Sequence, residues 1–191
     1  LLHQFGGLVE QDPAEAARLF QRAAEGGSAD GANNLAFLLV EGTGVPQDTD
    51  RAVRLLLAAS AQGSAEAAFN LGELTRRELV NTGEEPSAHF ARAARRGYVR
   101  GFLAAAIAHD EEGAPEAAAS MLLRGAAADD GQTVARLFHP DEPWSPRTLR
   151  ALQGKLAEAG LYRGQTDGLR GPELRRALEL WRRGGYDPEV I

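Results

Sequence analysis

E-G-T-G-V-P-Q-D at residues 41–48 and F-G-G-L-V-E-Q-D at residues 5–12 share the frame G-x-x-V-x-Q-D, displaced by 36 residues. A displacement of that size is the period of helical solenoids, so the chain is read first as a repeat. A second marker runs beside it. The pattern A-[AS]-x-x-G occurs at Ala23–Gly27, Ala59–Gly63, Ala93–Gly97 and Ala127–Gly131, with the glycines spaced 36, 34 and 34 residues apart. Each glycine is expected to end a helix, because the left-handed conformation that closes a last turn carries no Cβ penalty there.

Upstream of the glycines the apolar residues recur at helical spacing. Ala16, Leu19, Phe20 and Ala23 stripe one helix B, and Ala52, Leu55, Leu56 and Ala59 the next. Asp12, followed by Pro13 and Glu15, has the composition of a helix start, and Asp48 occupies the same place one period later. Downstream, helix A shows Ala32, Leu35, Ala36 and Leu39 on one face, then Ala68, Leu71, Gly72 and Thr75. Nine residues past the first three glycines the residue is small (Ala36, Gly72, Ala106), which lets helix axes approach closely. The opening frame is therefore the turn from helix A to helix B: Gly42 and Gly44 supply permissive backbone, Val45 tucks inward, and Asp48 starts the next helix. Each hairpin hides its apolar face only by stacking on a neighbour.

Composition agrees with this reading. In 191 residues the aromatic fraction is 6%, alanine dominates the apolar set, and β-branched residues are sparse, which favours close-packed helices over sheets. With no cysteine, disulfide scaffolds, thiol catalysis and Cys-ligated zinc are excluded, while the redox compartment stays open. The net charge of −6 is unevenly spread, at −9 over residues 1–144 and +3 over 145–191. That split implies two modules with different partners, and the acidic majority argues against nucleic acid. No apolar run approaches the roughly 20 residues of a membrane span. Leu1 in place of Met implies an excised or processed segment, so a membrane contact would come only through an upstream anchor.

The helix A frame A-x-N-L-A/G (Ala32–Ala36, and Asn70-Leu71-Gly72), the turn G-x-G-V-x-x-D and the run A-V-R-L-L-L-A-A-S-A-Q-G resemble the Sel1-like repeat, a relative of the tetratricopeptide repeat. The resemblance is strong over residues 28–63, fair over 64–97, where Asn81–Pro86 departs from G-x-G-V, and weak over 98–131. Leu1 aligns opposite Phe37, so the first unit lacks the first half of its helix A, and more of the array is expected upstream. The implied architecture is an all-α, α-solenoid array of antiparallel helix pairs over residues 1–138, with Thr133–Phe138 as a short closing helix.

Pro140, Pro143 and Pro146 then break the periodicity, so residues 139–146 read as a linker. Beyond it Leu149, Leu152 and Leu156 stripe one helix, Gly160 stops it, and Leu174, Ala177, Leu178 and Trp181 stripe another. Leu152-Gln153, Leu156, Gly160, Tyr162, Gly164, Asp167-Gly168, Gly171, Ala177-Leu178 and Trp181 resemble, over about residues 146–184, the pattern of a small helical peptidoglycan-binding domain, which makes 147–191 the second module. Arg170, Leu174 and Arg182 depart from that pattern. The resemblance implies a cell-wall ligand, with Tyr162 and Trp181 for sugar stacking, Arg163 and Arg170 for stem-peptide carboxylates, and Asp167 in the ligand loop. Beside this stands a plainer reading: Trp181 in the core, Asp167 as a turn residue, and the arginines as a solvated face.

On the repeats, Asn34, Glu41, Asn70, Glu73 and Arg77 are polar residues of helix A and candidates for a protein partner on a concave face. Asn34 and Asn70 recur at one repeat position, which internal hydrogen bonding would also produce. The four histidines (His3, His89, His109, His139) lack ligand spacing, H-D-E-E at 109–112 reads as the polar end of a helix A, and neither a nucleophile motif nor a phosphate loop is present. The expectation is no catalytic residue, no metal and no cofactor. Two modules in this order are similar to periplasmic bacterial polar scaffolds. The alternatives are a regulatory repeat module that restrains a signalling protein, with the C-terminal helices only capping the array, and part of a cell-wall hydrolase.

Overall fold

The computed structural model describes residues 12–129 and 131–184. The described residues hold ten helices and no strand, as the all-α reading requires. The first copy of the opening frame, apart from Asp12, lies outside them, as do His3 and the proposed alignment of Leu1. Two compact units divide between Tyr98 and Val99.

The first unit contains α1 (Pro13–Glu25), α2 (Ala29–Glu41), α3 (Thr49–Ala61), α4 (Ala65–Arg76) and α5 (Pro86–Arg95), each packed on the next, with α2 also touching α4. The starts follow the sequence. The Asp12 carboxylate accepts from the Glu15 N–H at 2.9 Å and Asp48 from Arg51 at 2.8 Å, and Ser28 and Ser64 cap α2 and α4 in the same way, both at 3.1 Å. Each removes an orphan donor worth about 1 kcal/mol. The ends repeat as well. Gly27, Gly63 and Gly97 have φ of +87°, +103° and +89°. The N–H after each reaches the carbonyl of Ala23, Ala59 or Ala93, the left-handed cap that the repeated glycine implied.

The stretch 41–48 is a turn for two reasons. Gly42 and Gly44 both have positive φ, and a Cβ on Gly44 would lie 2.3 Å from the Pro13 carbonyl. The connector of one hairpin therefore sits on the first residue of α1, where only glycine fits. Gln47 closes it by donating from Nε2 to the Val40 carbonyl at 2.8 Å. Arg96 spans a full period, donating to the Ser60 carbonyl at 2.6 Å and to its Oγ at 3.2 Å.

The apolar stripes hold with one correction. Ala16 and Phe20 are buried, but Leu19 is 40% exposed. Ala17, fully buried, takes the other half of the core-facing arc, and at 100° per residue Leu19 falls outside it. The small residues at the close approach act as expected: Ala36 and Ala106 are wholly buried, and a Cβ on Gly72 would lie 2.6–2.9 Å from three atoms of the Phe90 ring. Phe90 is itself fully buried and packs on Phe69 at 5.2 Å. Gly72→Ala is expected to destabilise by about 1–2 kcal/mol, overpacking outweighing the gain in helix propensity. Denaturant midpoints of the variant and the parent measure it.

The second unit contains α6 (Arg100–Glu111), α7 (Pro115–Ala128), α8 (Gln132–Leu137), α9 (Pro146–Glu158) and α10 (Pro172–Arg182). Helix α7 is its centre, packing against α6, α8, α9 and α10. The fourth repeat glycine is a correction: Gly131, φ +107°, opens α8 instead of closing α7. Asp129 reorganises this junction, its carboxylate accepting from Gly131 N at 2.8 Å, from Thr133 N at 2.9 Å and from the Thr133 hydroxyl.

The proline segment 139–146 is anchored at its end. Trp144 is buried in one core with Val134, Leu137, Leu149 and Trp181. Asp110 accepts from Ser145 N at 2.9 Å, from its hydroxyl, and from Thr148 Oγ1 at 2.6 Å. Residues 146–182 thus form the helix–loop–helix read from the sequence, but they share a core with the last repeat hairpin, and the division between compact units falls some 40 residues earlier than the linker. Among the described residues no helix is long and apolar enough to cross a membrane.

Candidate interaction site

On the repeats, α2 is covered by α1, α3 and α4, and nine of its 13 residues are buried. Asn34 is among them, 6% exposed, which corrects the expectation of a surface residue. Asn70, at the equivalent position of α4, is half-buried. Internal hydrogen bonding does not account for the pair, since neither side chain is bonded among the described residues. Glu41 and Arg77 are exposed at the C-terminal ends of α2 and α4, and Glu73, half-buried, stands 3.9 Å from the Arg76 guanidinium. Glu41, Glu73 and Arg77 are the three candidates whose polar ends the hairpins leave at or near the surface.

Beyond Arg77 the chain departs from the G-x-G-V turn. Glu78 adopts φ +56°, the backbone state glycine supplies elsewhere, and costs about 1 kcal/mol there. The segment lines an open cavity of about 600 Å³ with Thr49, Thr75, Glu78, Glu84 and Glu85. His89 holds it from beneath. Wholly buried, its Nε2 lies 2.7 Å from Thr82 Oγ1 and its Nδ1 3.1 Å from Arg92 Nη1. A guanidinium only donates, so Nδ1 accepts and the proton of the neutral ring sits on Nε2, donating to Thr82. Arg92 also pairs with Glu84 at 2.7 Å. The sequence showed His89 only as an isolated histidine.

Burial pushes the His89 pKa down, Glu84 opposes this, and Arg92 adds to it. Because the folded value lies below the unfolded 6.5, the folded state binds this proton less readily. Its stabilising contribution is present above that pH and is lost as pH falls through the folded value. Between pH 7.5 and 5.0 the urea midpoint is expected to decline on acidification, and His89→Gln to flatten that decline. Glu84, lowered chiefly by its hydrogen bond from Arg92, stays ionised in this window.

In the C-terminal helix pair the organising residue is Gln153, fully buried on α9. Its Nε2 donates to Asp167 Oδ1 at 2.9 Å, to the Leu169 carbonyl at 3.1 Å and toward Tyr162 Oη at 3.2 Å, and its Oε1 accepts from Gly168 N at 2.8 Å. Gly168, φ +78°, is hemmed by the Pro146 carbonyl, 2.7 Å from where its Cβ would stand. Tyr162 is buried, its hydroxyl donating to the Gln165 carbonyl at 2.8 Å, and burial followed by the Asp167 and Glu173 carboxylates pushes its phenol up. Asp167 is held below the usual carboxylate range, first by Gln153 and then by the Leu169 N–H.

Gln153 thus brings Tyr162 and Asp167 together as a loop-closing network, while Trp181 stands apart. Fully buried on α10, it donates from Nε1 to the Leu123 carbonyl at 2.8 Å, so its ring presents no face to a sugar. Arg170 donates to the carbonyls of Leu137, His139 and Glu142 at 2.9, 2.9 and 3.0 Å and ties down the chain before α9. That is the physical reason for arginine at this position. Only Arg163 of the five wall-binding candidates is an exposed side chain with no bond among the described residues.

Comparisons with known proteins agree with this architecture. The Sel1 repeat family model matches residues 1–28 and 29–64. No curated protein sequence matches the chain. Among solved structures, a Sel1 repeat protein from Oxalobacter formigenes is similar with a TM-score of 0.57 at 21% identity, over 96% of this chain and 86% of that one. So is c5321, a protective antigen of uropathogenic Escherichia coli strains with an SLR fold, with a TM-score of 0.54 at 22% identity over 95% of this chain and 44% of that one. This chain therefore spans less than half the length of the antigen. Its fold is that of the Sel1-type helical-repeat structures, and two consecutive Sel1 repeats are recognised in its first 64 residues.

Proposed function

We propose that the chain is a non-enzymatic periplasmic scaffold, in which the repeat hairpins bind a protein partner and the C-terminal helices dock on peptidoglycan. The order of modules is similar to the periplasmic end of the bacterial polar scaffold PodJ, and a role in polar localisation follows from that similarity. The observation that carries the partner-binding half is the stacked hairpin itself: the core takes the apolar stripe of each helix A and leaves Glu41, Glu73 and Arg77 at its edge. Stacked hairpins that spend their apolar faces on one another offer extended surface to a partner. The wall-binding half is supported by the helix–loop–helix and its D-G loop, with Arg163 as its exposed cation.

A photo-crosslinker placed at Glu41 or Arg77 in the full chain is expected to capture the same envelope protein from both positions, and none from Arg18 or Arg54 on helices B. Cosedimentation with purified sacculi tests the other half. Depletion of the chain, weakened by Arg163→Glu, is expected; a chain wholly in the supernatant removes wall binding.

A second reading is a regulatory module that restrains a signalling protein, with α9 and α10 only closing the array. The burial of Tyr162 and Trp181 and the packing of both helices on α7 favour it. Sacculus binding that depends on Arg163 counts against it.

A further inference from the structure

A groove of about 680 Å³ runs between the first turn of α7 and the outer face of α9. Its volume is that of sites that take small ligands and short peptide segments. Arg147, Arg150 and Lys155 line it along α9, with Arg150 and Lys155 about 140° apart around the helix and so on opposite flanks of the groove-facing side. Ala151 and Gly154 form the floor between them, and a Cβ on Gly154 would meet nothing within 4 Å. A ligand backbone can lie close against that floor.

The placement of the two arginines is unfavourable for folding. Arg147 stands in the first turn of α9, which carries no acidic residue and where the helix dipole opposes positive charge, with Arg150 just beyond it. They are also three residues apart, the spacing at which like charges on a helix repel. Neither guanidinium has an ion pair or hydrogen bond among the described residues, unlike Arg170 and Arg182 in the same unit. Fork-shaped donors left unpaired beside a groove suit carboxylates.

We propose that this groove is a docking site for a short acidic segment of a protein partner, separate from the helix A edge of the repeats. The row from Arg147 to Lys155 is about 12 Å long at 1.5 Å per residue. That is about four residues of extended chain, along which alternate side chains face one way about 7 Å apart. Carboxylates at the two ends of such a segment reach the span, while Arg147 and Arg150, only about 4.5 Å apart along the axis, suit one carboxylate between them. Glu116 and Glu158 also line the groove and disfavour a long uniform polyanion, so nucleic acid is a poor occupant.

Fluorescence anisotropy with the full chain and a fluorescein-labelled Glu-Gly-Glu-Gly-Glu peptide tests this, with the Lys-Gly-Lys-Gly-Lys peptide as control. Saturable, salt-sensitive binding of the acidic peptide alone is expected. The double variant Arg147→Glu with Arg150→Glu is expected to weaken it about tenfold or more, the paired Gln variants less, and Arg176→Glu with Arg183→Glu, an equal charge change on exposed positions of α10 and its end, less than about threefold. Helicity by circular dichroism reports that each variant is folded. The proposal is overturned by absence of saturable binding or by equal loss in both glutamate doubles. Self-association abolished by the Arg147 and Arg150 changes likewise overturns it, by assigning the groove to a second copy. Failure here leaves the Glu41 and Arg77 crosslinks unaffected.

Discussion

Replacing Trp181 with alanine is expected to cost about 5 kcal/mol, about a third or more of the stability of a typical domain. The indole is fully buried among Leu123, Leu152, Leu174 and Leu178, so the cavity lies in the shared core of α7, α9 and α10. Truncation of a buried aromatic costs about 3–5 kcal/mol by itself. It also orphans the Leu123 carbonyl, which accepts the indole N–H at 2.8 Å, for about 1 kcal/mol or more. Trp181→Phe is expected to keep most of the packing and lose the hydrogen bond, for about 2 kcal/mol. Urea unfolding followed by far-ultraviolet circular dichroism measures both. A Trp181→Ala chain with an unchanged midpoint would mean that the indole does not bridge α10 and α7.

The second large effect is expected at Gln153. Gln153→Leu keeps nearly the same volume yet removes every bond that Gln153 makes to the 167–169 turn, leaving the Gly168 N–H and the Leu169 carbonyl without their partners. A cost of about 3 kcal/mol follows from one or two buried groups left unsatisfied. Gln153→Glu tests the donor role specifically. At pH 7 it sets a carboxylate where an amide donates to Asp167 at 2.9 Å, and the like charges repel. Protonation restores a donor, so this variant is expected to gain stability relative to the parent between pH 7 and 5, against the downward trend set by His89. Chemical denaturation at the two pH values reads the crossing.

The repeats were legible where local chemistry and packing agree. Asp12 and Asp48, the αL glycines and the small residue at position 36 or 72 each follow from one backbone or contact requirement, and each is visible in a window of a few residues. The regularity fades in the same terms. Ser28 and Ser64 cap their helices, whereas the corresponding start of α6 is Val99, in a right-handed helical conformation with no side-chain cap, and Gly131 has passed from closing one helix to opening another.

Contacts between distant residues left no local mark. Asp110 lies 35 residues from Ser145, and nothing around it announces that it fastens the start of α9. Gln153 was visible as a motif letter, but its role depends on a loop 14–16 residues away. Exposure was the least legible property. Leu19 is 40% exposed and Asn34 buried, since a stripe gives the direction of the core and not the width of the arc that neighbouring helices cover. The same ambiguity hid the fate of Trp181, which a sugar-binding pattern and a core stripe describe equally well.

Gly27-Ser28 and Gly63-Ser64 are the same junction, with the same left-handed glycine and the same serine cap. Excising residues 28–63 would join Gly27 directly to Ser64 and regenerate that junction letter for letter. Residues 28–63 thus form an interchangeable cassette, and recombination at this seam can lengthen or shorten the array without inventing a new splice.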